Sequence, residues 1–110
     1  MPRRAALPHR VRRAVLDADD TATLLGWMRS ATDTPADGFD QTFGLLPGRA
    51  GNGVAAKQGW MDGAGDGRRV HSAGVFADGT VVVLLGEFPR STSWADARAA
   101  LDAAAAAVVA

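Results

Sequence analysis

The chemistry open to this sequence is set by one lysine, two histidines and no cysteine. Lys57 lies in Val54-Ala55-Ala56-Lys57-Gln58-Gly59-Trp60-Met61, an apolar run of strand character. An ammonium in such a run can hold a carboxylate or tune a neighbouring proton if the strand borders a cleft, and is otherwise a solvated edge residue. The lack of cysteine removes disulfides, thiolate nucleophiles and cysteine-based zinc sites together. Of the histidines, His9 falls in an arginine-rich start and His71 in a strand, so no metal-ligand spacing exists and no cofactor is expected. His71-Ser72-Ala73-Gly74 has the letters of the end of a nucleophile elbow, but the first glycine would fall at Val70, and a hairpin strand is not a strand-to-helix turn. Alternation puts Ser72 on one face with Val70, Gly74 and Phe76 and His71 on the other, so the two do not form a couple, and His71 reads as a surface or strand-end residue. Gly51-Asn52-Gly53-Val54-Ala55-Ala56 matches a dinucleotide fingerprint in letters only, because a loop precedes it and a strand follows.

These residues need a scaffold, and 110 residues supply one domain. Basic and acidic side chains number 12 each, a net charge of zero, so no overall field draws the chain to nucleic acid or to an anionic membrane. The start, residues 1–19, reads as a disordered arginine-rich segment. Arg10, Arg12 and Arg13 interrupt every stretch that could serve as the apolar core of a signal peptide, so the chain reads as soluble and unexported. Asp19 and Asp20 are placed to cap a helix over 21–32 with Leu24, Leu25, Met28 and Ala31 on one stripe. Strands are expected over 53–61, 69–77 and 80–86, and Phe43-Gly44-Leu45-Leu46 is a candidate for a short fourth. Asp78-Gly79 predicts a two-residue type I′ hairpin between the last two strands, and the glycine-rich 62–68 a mobile loop between the first two. Ser93 with Asp96 three residues on opens a C-terminal helix whose apolar stripe is Trp94, Ala97, Leu101, Ala104, Ala105 and Val108. The expected architecture is α+β: an antiparallel sheet of three to four strands, a C-terminal helix packed on one face and a short N-terminal helix. In Val81-Val82-Val83-Leu84-Leu85 alternation is lost, so that strand asks for cover on both faces, while the chain offers a full helix for one. Self-association or aggregation of the purified chain is the expected result.

The segments Thr23-Leu24-Leu25-Gly26-Trp27-Met28, Phe39 to Leu46, the Lys57-Gln58-Gly59 strand, the hairpin from His71 to Pro89 and the closing helix follow one another as a set. Over most of 20–110 this set resembles the C-terminal part of the penicillin-recognising serine hydrolases, the group of class A β-lactamases and D-alanyl-D-alanine peptidases. In that group a Lys-Thr/Ser-Gly strand borders the active site, two further antiparallel strands follow and a terminal helix crosses the sheet. The resemblance implies that Lys57 holds the substrate carboxylate, that Gly59 lets substrate lie along the strand and that the Trp60 N–H is one oxyanion-hole donor. Gln58 stands where the group carries a hydroxyl residue that binds the same carboxylate. Substrates implied are β-lactams or peptidoglycan peptides. Members of the group are usually exported.

The nucleophile does not come with the resemblance. The group acts through Ser-x-x-Lys and a Ser-Asp-Asn-type triplet. With Lys57 the sole lysine, the serine would stand at position 54, which is valine, and the position two before Asn52, the only asparagine, is Ala50. The expected function is therefore that of a truncated or split β-lactamase-like hydrolase, inactive alone, with a helical half of the same domain as partner. The alternative is a self-contained binding or oligomerising module without catalysis.

Overall fold

Two helices and three strands follow in the order α1 (Ala18–Arg29), β1 (Ala55–Asp62), β2 (Gly67–Val75), β3 (Val81–Pro89) and α2 (Trp94–Val109). The computed structural model describes residues 15–46, 54–63, 65 and 67–109. The arginine-rich stretch 1–14, Asn52 and the glycines at 51 and 53 lie outside the described residues. The α+β class and the two-helix, three-strand plan are those expected; the fourth strand is not formed, and residues 43–46 instead make a turn.

Local chemistry sets each boundary. Asp17, not Asp19 or Asp20, caps α1, its carboxylate accepting the Asp20 N–H at 2.8 Å. Asp19 and Asp20 then occupy the first turn, where negative charge faces the positive end of the helix. The helix thus starts earlier than expected and stops at Arg29, where Ser30 closes it through bonds to the Gly26 and Trp27 carbonyls. Helix α2 begins as its sequence implies, with the Ser93 hydroxyl accepting the Asp96 N–H at 3.0 Å. The hairpin turn differs in type from the expectation. Phe76 donates to Thr80 and Gly79 donates to Phe76, which leaves a three-residue loop in which only Gly79, at φ 89°, takes the left-handed conformation. This is a type I turn closed by a glycine bulge, and it spares Asp78 a positive φ. Asp78 instead accepts the Thr80 N–H at 2.9 Å, which holds its carboxyl below the ordinary carboxylate range.

The three strands form an antiparallel sheet in the order β1-β2-β3. Gly59 pairs with His71 and Trp60 with Val70, while Val70 pairs with Gly86 and Ser72 with Leu84. The inner face carries Gln58, Trp60, Val70, Ser72, Leu84 and Phe88, and α2 lies over β2 and β3 on that side. Phe43, Val70, Ala97 and Leu101 make the buried centre, with Phe39, Leu84, Phe88 and Trp94 packed around it. Val108, at the end of the expected helix stripe, is 53% exposed and takes no part. The outer face is open along β3 and at Met61: Met61, Val81, Val83 and Leu85 are 60%, 63%, 58% and 74% exposed. The all-apolar run of β3 is therefore covered on one face only.

The other half of the inner layer is the irregular segment 39–46. Gln41, Phe43, Leu45 and Leu46 along it are buried, and several of its backbone groups find their partners in side chains. Ser72 Oγ accepts the Leu45 N–H at 2.9 Å, Asp102 accepts the Gly44 N–H at 2.7 Å, and the Gln58 amide donates to the carbonyls of Gln41, at 3.1 Å, and Phe43. Gly44 has φ 61°, and a side chain there would stand 2.6 Å from Ser72.

The two faces of the sheet should respond differently to truncation. Ser72→Ala leaves the buried Leu45 N–H without its acceptor and is expected to cost about 1–3 kcal/mol in urea unfolding. Leu85→Ala, on the open face, should stay within about 0.5 kcal/mol of the parent.

Candidate functional site

The site is built from the backbone of β1, which has a neighbour on one side only. In an antiparallel ladder the N–H and C=O of one residue point to the same side, and successive residues alternate. Gly63 donates to Gly67 across the β1–β2 pair at 2.8 Å, which fixes the parity. Ala55, Lys57, Gly59 and Met61 therefore address β2, and Ala56, Gln58, Trp60 and Asp62 address the side away from it. By the same alternation, the Phe76–Thr80 bond points the backbones of Val81, Val83, Leu85 and Glu87 away from the sheet at its far edge.

Side chains follow the opposite alternation across the faces. Lys57 and Gly59 belong to the outer face, and Gln58 and Trp60 to the inner one. Asp37 and the Lys57–Trp60 stretch line a shallow cleft at this edge. The Lys57 side chain is exposed, and its ammonium donates to the Gln58 carbonyl, an edge-facing group. Gly59 faces His71 across the ladder with open space in place of a side chain; a methyl group added there would find His71 Cβ as its nearest neighbour, at 4.0 Å.

The cleft thus gathers three of the expected site features: the Lys57 ammonium, the bare backbone at Gly59 and the outward Trp60 N–H. Gln58 is placed otherwise than a carboxylate-binding residue requires. Its side chain is buried, and both amide hydrogens are committed to the core segment. Its backbone carbonyl accepts the Lys57 ammonium. The two donated bonds also fix the orientation of the amide, so the buried Oε1 without a partner is not an exchanged nitrogen. His71, on the outer face, accepts the Gly86 N–H at Nδ1 over 3.3 Å, and the Ser72 hydroxyl serves Leu45 on the inner face, so the two do not meet.

Several residues that hold this edge were not singled out in the sequence. Phe39 stacks on Trp60 with centroids 4.3 Å apart and planes at 8°, and meets Trp94 edge-on at 5.3 Å. Arg68 lies 3.9 Å over the Trp94 ring, donates to Asp62 at 2.8 and 3.1 Å and reaches the Thr92 carbonyl at 2.9 Å. Arg90 donates to the Gly63 and Gly65 carbonyls at 2.8 and 2.9 Å, fastening the glycine-rich turn that the sequence leaves loose. Arg68 and Asp62 are directly opposite one another in the ladder, the only signal that could have paired them.

No match is found among family models, characterised proteins or solved structures. Among the described residues no group of histidine, aspartate and glutamate side chains is placed to hold a metal, and no helix is long and apolar enough to cross a membrane.

The Asp62 clamp carries a pH signature. The bidentate hydrogen bond from Arg68, with Arg90 nearby at 3.8 Å, holds the Asp62 carboxyl below its ordinary value. A carboxyl depressed on folding adds stability that is complete above the unfolded carboxylate pKa, about 3.9, and disappears as pH falls through the folded value. Thermal unfolding of Asp62→Asn should therefore trail the parent by a constant margin at neutral pH, and the margin should close below about pH 4.

Proposed function

We propose that this chain is the sheet-bearing part of a penicillin-recognising serine hydrolase fold, with the acylating serine on a separate helical segment, encoded elsewhere in the same protein or on another chain. The observation that carries the reading is the coincidence, in one cleft at the edge of β1, of the sole lysine, a residue without a side chain and a backbone N–H turned away from β2. An ammonium at such an edge holds a carboxylate, and the neighbouring N–H is placed for an adjacent carbonyl oxygen. Gly59 removes the side chain that would keep an extended ligand off the strand. The apolar outer face, on which Met61, Val81, Val83 and Leu85 stand exposed, supports a helical layer on the side that the Lys57 side chain occupies.

The chemistry left to this chain is positioning. Lys57 neutralises the ligand's carboxylate, the Trp60 N–H polarises its carbonyl, and the β1 backbone aligns the rest. Attack on that carbonyl requires the serine and base of the helical segment, since position 54 is valine. A second reading, a binding module without catalysis, draws on the same exposed apolar face, and would use that face rather than the Lys57 edge.

The two are separated by titrating the isolated chain with benzylpenicillin and following backbone amide resonances. Under the proposed function, shifts concentrate at Lys57, Gly59 and Trp60, no covalent adduct forms, and Lys57→Ala weakens the response about tenfold to a hundredfold through loss of a charge-assisted contact of roughly 1.5–3 kcal/mol. Shifts confined to β3 and the outer face, or none at saturating penicillin, would favour the binding module. An adduct formed by the isolated chain would overturn the split arrangement.

A further inference from the structure

The edge opposite Lys57 carries a second surface, formed by the outward backbones of Val81, Val83, Leu85 and Glu87 and by the side of α2 next to them. A groove runs between this strand and Ala100, Leu101 and Ala104. Strand edges of this kind are ordinarily protected by lysine, proline or a bulge. Between Val81 and Phe88 β3 has none of these, and Glu87 is its one charged residue. The adjoining helix is lightly guarded: of its exposed positions, 95, 99, 100, 103, 106 and 107 are alanine, the others being Asp96, Asp102 and Val108.

We infer that β3 pairs with β3 of a second copy of this chain, forming a two-fold dimer with a continuous six-stranded sheet. Three observations select a second copy as occupant. The first is spacing. Helix α2 lies over β2 and β3, so joining two sheets edge to edge sets the two α2 helices two strand spacings apart, roughly 9.6 Å, within the 8–10 Å at which helices pack. Ala100 and Ala104, on the side facing the groove, are small enough for that approach. The second is register. Antiparallel pairing centred on Leu84 sets Val83 opposite Leu85 of the second copy and Val81 opposite its Glu87, so every outward backbone meets an outward one. The third is charge. In that register the two Glu87 side chains sit at opposite ends of the paired strands, about 20 Å apart and beyond the roughly 8–10 Å screening length, and each already has Arg69 of its own chain at 3.2 Å.

The contact involves fewer residues than the roughly 20–30 a side of a standard interface, so it makes a reversible dimer rather than a permanent one. It leaves the outer face and the Lys57 edge free. The dimer and the proposed hydrolase role therefore stand or fall separately.

Sedimentation equilibrium of the full chain tests the inference with three variants. Val83→Pro removes an N–H that points away from β2, so the internal ladder keeps its bonds while the edge loses a donor. Ala100→Arg places a long charged side chain between the two helices. Met61→Lys changes the outer face on the far strand. The parent should show a monomer–dimer equilibrium, Val83→Pro and Ala100→Arg should each weaken it at least about tenfold, and Met61→Lys should leave it in place. Should Val83→Pro fail to give the parent's circular dichroism, Ala100→Arg decides alone. A parent that stays monomeric to its solubility limit, association that survives Ala100→Arg, or association that Met61→Lys abolishes would each overturn the β3-edge dimer.

Discussion

A largely buried stretch of chain without regular structure must have its polar groups met one by one, and residues 39–46 are such a stretch. Phe43 fills the centre of the core, yet the chain that delivers it has neither helix nor ladder bonds to satisfy itself. Gln58, Ser72 and Asp102 take up that task from three different elements. Their identities follow from it. Asp102 interrupts an otherwise alanine-rich helix because the Gly44 N–H needs an acceptor there. Ser72 stands in a strand of small and β-branched residues because Leu45 needs another.

This demand also shapes the candidate site. Holding the segment turns Gln58 inward, and stacking Phe39 on Trp60 turns the indole the same way. With both bulky neighbours committed to the core, Lys57 and the bare backbone of Gly59 remain toward the outer face at this point of the strand. The Arg68–Asp62 clamp and the Arg90 bonds then fix the end of the strand. The rigidity of the edge comes from the inner layer, whereas its chemistry lies on the opposite side.

Much of this was legible because it depends on local pattern. The strands, the order of elements, the Ser93 cap and the face shared by Val70, Ser72 and Gly74 follow from period and capping chemistry. What escaped depends on contacts between distant segments. Phe43-Gly44-Leu45-Leu46 has strand-like letters, but its burial as a turn depends on Ser72, Gln58 and Asp102, none of them near in sequence. The role of Gln58 is hidden for the same reason. Its position beside Lys57 suggests a shared cleft, whereas strand parity sends the two side chains to opposite faces. The Asp78-Gly79 pair announces a turn, but the choice between two and three loop residues rests on the register of Val75 with Val81.

The parity of the edge strands has a consequence in time as well as in space. Along β3 the amides bonded to β2 alternate with amides that point away from the sheet, so neighbouring protons of one strand belong to different kinetic classes. In the monomer those of Val82 and Leu84 leave only when the ladder opens, whereas those of Val83 and Leu85 are free to exchange with the strand intact. The sheet therefore has a dense, slow centre in β2 and, at β3, a margin in which every second proton is already at the disposal of whatever approaches.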